Sequence, residues 1–96
     1  MNELIELLYN VKEKPLLYLG AYSLERLHAF ISGCICYQYQ KEHIYIHFLP
    51  GFQNFVQDKF GVKQSYSWTS IISNNSDSEK EAFYRFFDLL DEFLET

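Results

Sequence analysis

Ninety-six residues supply one hydrophobic core and not two, and a composition that is 48% hydrophobic and 19% aromatic excludes a disordered chain. The net charge of −5 is placed asymmetrically: residues 1–76 carry six acids and six bases, whereas residues 77–96 carry seven acids against Lys80 and Arg85. Such a surface repels phosphate backbones, which argues against nucleic-acid binding and favours a basic protein partner.

The opening Met1-Asn2-Glu3-Leu4-Ile5-Glu6 has acids where a secretory signal needs bases. Leu4, Leu7, Leu8 and Val11 recur at helical spacing and predict a first helix over residues 3–12, closed by Pro15. Leu16-Leu17-Tyr18-Leu19-Gly20 is short and apolar and is expected to be a buried extended connector. Ser23 is an N-cap candidate for a second helix, with Leu24, Leu27, Phe30, Ile31 and Cys34 as its stripe, running to about Tyr37. Gly33 inside it costs about 1 kcal/mol relative to Ala, so a close helix–helix contact is expected there.

Residues 38–49 are ambiguous. Ile44, Ile46 and Phe48 alternate with Tyr45 and His47 as in a strand, but one isolated strand has nothing to pair with, so a loop or a helix extension is expected. Pro50 fits the first turn of a third helix, buried through Phe52, Phe55, Val56 and Phe60 and ended by Gly61. Trp68, Ile71 and Ile72 predict a short fourth helix, followed by the polar break Ser73-Asn74-Asn75-Ser76. Ser76 with Glu79 matches a capping box that opens the last helix, whose inner face is Phe83, Phe86, Phe87, Leu90, Phe93 and Leu94. The expected fold is therefore all-α: a single-domain bundle over residues 1–96, of about four to five short helices around an aromatic-rich core.

Opposite that inner face fall Glu81, Tyr84, Asp88, Asp91, Glu92 and Glu95. Three of these acids occupy the closing turns, where the helix dipole makes a carboxylate unfavourable by roughly 0.3–1 kcal/mol. Stability alone would select Lys or Arg there, so the six residues are the candidate partner-binding surface, with Tyr84 as an amphipathic anchor. The plainer reading is a solvated face that keeps an aromatic-rich protein from aggregating.

No catalytic set assembles. Ser23, Ser65, Ser67 and Ser70 lack the Gly-rich elbow that exposes a nucleophile, and Gly20, Gly33, Gly51 and Gly61 are too scattered for a phosphate loop. Cys34 and Cys36 form a lone C-x-C with no second ligand pair, and His43 and His47 lack the Glu of a zinc helix, so no metal and no cofactor is expected. His28 is expected at the boundary of the core. The adjacent cysteines cannot staple the fold, and no apolar run approaches the roughly 20 residues of a membrane span. The expected location is the cytoplasm.

Three segments taken together resemble a known family: Lys14-Pro15-Leu16-Leu17-Tyr18-Leu19-Gly20, Pro50-Gly51-Phe52-Gln53-Asn54-Phe55-Val56, and Ser67 through Ile72 continued by Ser76-Asp77-Ser78-Glu79 and Phe86 through Phe93. In that order they are similar to small bacterial immunity proteins encoded beside polymorphic toxins, including contact-dependent growth inhibition systems. The family pattern has Arg-Pro-Gly-Met where this chain has Lys14-Pro15-Leu16-Leu17, and no binding residue is carried over. The resemblance implies a non-catalytic protein that binds a cognate toxin domain, many of which are nucleases with basic clefts, and is a monomer or weak dimer when free. The alternative is a structural or regulatory subunit, a homodimer formed through exposed Tyr37, Tyr39 and Tyr45.

Overall fold

In the computed structural model, which describes residues 2–96, six helices follow one another and no strand forms among the described residues. They are α1 (Asn2–Glu13), α2 (Pro15–Leu19), α3 (Leu24–Glu42), α4 (Phe52–Phe60), α5 (Trp68–Asn74) and α6 (Glu79–Leu94). The all-α bundle with an aromatic-rich core is observed, with one helix more than the sequence led us to expect.

The additional helix is α2. Residues 15–19 were expected to be extended and buried; instead they are helical, with Leu16 and Leu17 exposed at 56% and 74%. Pro15 occupies the first helical position, where its fixed φ favours the helix and its missing N–H is no loss. Gly20 closes the turn in the left-handed region (φ 74°), donating its N–H to the Leu16 carbonyl, and the Arg26 guanidinium holds the Leu19 carbonyl at 2.9 Å. Pro15 thus both stops α1 and starts α2.

Ser23 caps α3 as expected, its hydroxyl accepting from the Arg26 N–H at 3.1 Å. The helix extends past Tyr37 to Glu42, where His43 adopts a left-handed conformation (φ 57°) and returns its N–H to the Tyr39 carbonyl. Residues 44–47 then have no regular structure and the chain bends at Phe48 and Leu49, so the ambiguous stretch divides into a helix extension and a loop. Only Leu24, Leu27 and Ile31 of α3 are fully buried, and its last two turns project beyond the core. The radius of gyration, 13.4 Å, exceeds the ~12.5 Å of a compact chain of this length accordingly. Gly33 is a correction: a Cβ built there meets nothing within 4 Å, so no helix packs against it within the chain.

Pro50 and Gly51 form the turn that precedes α4, and Gly61 ends the helix in the left-handed region. Phe52 and Val56 are buried and Phe55 and Phe60 half-buried. The loop after α4 is tied down by two glutamines. Gln57 donates to the Gln64 carbonyl at 3.0 Å, and Gln53 donates to the Tyr66 carbonyl and accepts from the Trp68 N–H at 2.9 Å. They fix where α5 starts and so aim Trp68 at the core.

The capping box of α6 is displaced by two residues from the expected one. The Ser76 hydroxyl donates back to the Ile72 carbonyl at 2.8 Å and so completes the end of α5. Ser78 caps α6 instead, accepting from the Glu81 N–H, while the Glu81 carboxylate accepts from the Asp77 N–H at 3.2 Å. Both spacings satisfy the Ser-x-x-Glu pattern, and local competition for Ser76 decides between them.

Helices α1, α3, α4 and α5 pack around α6, while α2 packs on α1 and α3. Ala82, Phe83, Phe86, Phe87, Leu89 and Leu90 are buried, Phe93 is half-buried, and Leu94, expected inside, is 48% exposed. Trp68 stacks on Phe86 at 5.1 Å between centroids, and Phe52 stands edge-on to Trp68, Phe86 and Phe93. Leu4, Leu8 and Val11 of α1 and Ile71 and Ile72 of α5 complete the core.

Two substitutions test this packing. Phe86→Ala should destabilise the fold by about 3–5 kcal/mol in chemical denaturation, since it empties the centre of the aromatic cluster. Gly33→Ala, with nothing to clash against, should raise stability by about 0.5–1 kcal/mol; a loss would reveal a contact absent from the monomer.

Candidate functional site

The outer side of α6 carries the six residues that the sequence singled out. At 100° per residue, Tyr84, Asp88, Asp91 and Glu95 form a crest, with Glu81 and Glu92 on the side toward α4. The crest stands opposite the buried arc as the periodicity required. The structure divides the six by what each touches.

Asp91 accepts a hydrogen bond from the Tyr9 hydroxyl, which links α6 to α1. The Lys12 ammonium lies 5.8 Å from the Phe87 ring centre and reinforces the same seam. On the other flank Lys59 of α4 forms an ion pair with Glu92, and the Arg85 guanidinium lies 5.9 Å from the Phe60 ring. Glu81 is occupied by the capping box and by Arg85, one turn on, at 3.8 Å. Such exposed pairs contribute only about 0–1 kcal/mol each, but they answer the question the dipole raised. Asp91 and Glu92 tolerate the closing turns because neighbouring helices bring them a phenol and an ammonium.

Tyr84 is half-buried. Its ring lies 6.0 Å from Tyr22 and 5.1 Å from Phe83, and Lys80 covers Tyr22 from the other side at 4.5 Å. Part of the ring therefore packs the α2–α3 loop, and the remaining edge faces outward. Asp88 and Glu95 are exposed and have no side-chain partner among the described residues. The accessible part of the surface is thus a convex ridge of Tyr84, Asp88 and Glu95, flanked by carboxylates already engaged within the fold.

Grooves indent the molecule away from α6, beside α3, α5 and residues 45–51. One of about 680 Å³ runs beside residues 45–51, against His28, Ile31 and Trp68. A second of about 860 Å³ lies between α1 and the projecting end of α3, bordered by Leu7, Phe30, Gly33, Tyr37 and Ile46. Around the projecting end of α3 and the loop that follows it, Tyr37, Tyr39, Ile44 and Tyr45 are 65%, 47%, 58% and 62% exposed. The sequence named these tyrosines only for its alternative reading and did not reveal the grooves, which arise where α3 leaves the core.

The reactive side chains are dispersed. Burial pushes the half-buried Cys34 thiol above its ordinary value, which suppresses the thiolate. His28 sits edge-on to Trp68 at 5.5 Å, His47 against Tyr45 at 4.8 Å, and His43 forms the end of α3. Among the described residues no three His, Cys, Asp or Glu side chains converge as a metal site, and no helix is long and apolar enough to cross a membrane. Compared with known proteins, the chain matches no family model, no curated protein and no solved structure.

The α1–α6 seam gives a pH prediction. Burial, the hydrogen bond to Asp91 and that carboxylate's negative charge push the Tyr9 phenol from 10.0 up to about 12. The folded state holds this proton more tightly than the unfolded one, so the contribution is complete below pH 10 and fades as the pH rises toward about 12. The stability advantage of the wild type over Tyr9→Phe, measured by urea unfolding, should accordingly shrink across that interval and be constant at neutral pH.

Proposed function

We propose that this protein is an immunity protein: a non-catalytic binder that neutralises a toxin domain by seating its acidic ridge in a cationic cleft. The observation that carries the reading is the segregation of charge. The net −5 arises from residues 77–96, and the accessible part of that segment is convex, with Asp88 and Glu95 free of side-chain partners among the described residues. A convex anionic ridge has the shape and sign to enter a cleft that binds a phosphodiester backbone, and its field accelerates encounter with a basic partner. The three-segment resemblance to immunity proteins of polymorphic toxin systems supports the same reading. Nuclease toxins are the substrate-cleft class that an acidic ridge fits best.

In this mechanism Asp88 and Glu95 pair with Lys or Arg of the toxin and the outward edge of Tyr84 packs between them. Glu81, Asp91 and Glu92 contribute to the field while holding α6 in place. Inhibition is by occlusion and requires no chemistry from this chain.

The test separates binding from stability. Asp88→Lys combined with Glu95→Lys should leave the fold intact, and Lys at position 95 should favour the helix C-terminus by about 0.3–1 kcal/mol. Affinity for the toxin domain encoded by the adjacent reading frame should fall by about tenfold or more, with a weaker dependence on salt. Protection on co-expression with that domain should fall in parallel. Undiminished affinity and protection would show that the ridge is not the contact surface.

A further inference from the structure

Two hydrogen bonds pin the ends of the loop between α3 and α4. The His43 N–H meets the Tyr39 carbonyl at 2.8 Å, and the Phe52 N–H meets the Leu49 carbonyl at 3.0 Å across the turn Leu49-Pro50-Gly51-Phe52. Between those ends, residues 44–48 form no hydrogen bond with backbone elsewhere in the described chain. Side chains hold them instead: Ile46 and Phe48 are half-buried against the core, and the Phe48 ring centre lies 6.3 Å from that of Trp68. Ile35 and Ile46 each line both of the larger grooves, so the loop divides one groove from the other along this pair.

The α4 end of this loop carries strain. Leu49 is 4% exposed and has a φ of 48°, where the Cβ of an L-residue crowds the backbone. Pro50 follows it, and a residue before proline is pushed toward negative φ and extended backbone. The conformation of Leu49 is thus disfavoured twice over, and it persists because the side chain is packed into the core. His43, at the other end, also has a positive φ of 57°, but it is a helix C-cap, and His is among the residues that tolerate that region.

We infer that residues 44–48 are a strap that swings off the body about Leu49, returning that residue to negative φ and merging the two grooves into one cleft that shares Ile35. Rotation about the N–Cα bond of Leu49 moves the chain before it and leaves its carbonyl, and so the start of α4, in place. Opening withdraws Ile46, Phe48 and Leu49 from the core and sacrifices no hydrogen bond from residues 44–48 to backbone elsewhere. Burial of those three side chains favours the closed strap, and the relaxed backbone of Leu49 favours the open one. Segments held by few apolar contacts and no backbone ladder open far below the free energy of global unfolding. The strap carries no Lys, Arg, Asp or Glu, and the inference does not rest on the toxin-binding reading of the α6 ridge.

A buried thiol reads the opening. Ile31, 2% exposed, lines a groove together with Ile46, Phe48 and Leu49, whereas Leu90, 0% exposed, lies on α6. With Cys34 and Cys36 replaced by Ala, Ile31→Cys should react with a thiol reagent at a rate that urea raises only weakly. Leu90→Cys should react with the full urea dependence of global unfolding. Adding Leu49→Ala should make Ile31→Cys label about threefold or more faster than adding Leu49→Gly, since only Gly holds a positive φ without strain. Fraying of α3 would not distinguish those two variants. Without any reporter thiol, Leu49→Gly should also unfold at a higher urea concentration than Leu49→Ala, the reverse of the order at an unstrained position. Equal urea dependence at the two reporter thiols overturns the inference. So does a Leu49→Ala variant that is the more stable of the pair or the slower to label.

Discussion

The width of the apolar arc on α6 governs the architecture. Six buried positions between Ala82 and Leu90 span about 160° of the helix circumference, more than one packed neighbour can cover. Helices α1, α3, α4 and α5 therefore contribute to its enclosure, and Phe86 becomes the point where rings from α4, α5 and α6 meet. In a chain this short the aromatic rings supply area that the residue count alone would not, which is why nine Phe are affordable and necessary. The polar consequences follow from the same enclosure. With α1 on one side of α6 and α4 on the other, Tyr9 and Lys59 come to lie at the flanks of its outer face, within reach of Asp91 and Glu92.

Elements whose signals were local were legible in the sequence. The Ser23 cap, the Gly61 stop, the short helix beginning at Trp68 and the inner face of α6 each depend on residues within one or two turns. Expectations failed where two local readings were equally good. Ser76-x-x-Glu79 and Ser78-x-x-Glu81 are the same pattern, and the Ile72 carbonyl, by taking the Ser76 hydroxyl, settles the choice. Leu16 and Leu17 look like core in a five-residue apolar run, because such a run has no period by which to tell a buried strand from an exposed helical turn. Gly33 looks like a packing contact, yet its helix faces solvent there.

The candidate site was legible in direction but not in detail. Helical spacing places Glu81, Tyr84, Asp88, Asp91, Glu92 and Glu95 outward without reference to any other element. Which of those carboxylates is engaged depends on Tyr9, Lys59 and Arg85, and the first two are distant in sequence and arrive only with the tertiary fold. The dipole argument was physically sound but had two possible answers, a partner protein or a neighbouring helix, and for Asp91 and Glu92 the neighbouring helix supplies one. What is left for an external partner is smaller and better defined than the whole acidic segment: Asp88, Glu95 and one edge of Tyr84.

The projecting end of α3 presents the opposite electrostatic character. Beyond Ile35 its apolar stripe no longer meets the core, yet the helix continues to Glu42 and ends in the left-handed His43, after which the chain returns as an irregular loop. Two helical turns outside a core gain little from propensity alone, since short helices are marginal in water. Within the chain, Ile46 and Phe48 are the part of the returning segment packed against the body, while Tyr37, Tyr39, Ile44 and Tyr45 remain largely open to solvent. Apolar side chains and unpaired backbone concentrated on one neutral arm differ in kind from carboxylates spread along a ridge. The first rewards removal of water and is little affected by ions, whereas the second acts at a distance and weakens as salt screens it. Two surfaces with such different physics differ in what would cover them: the apolar arm responds to removal of water, the ridge to the charge and salt around it.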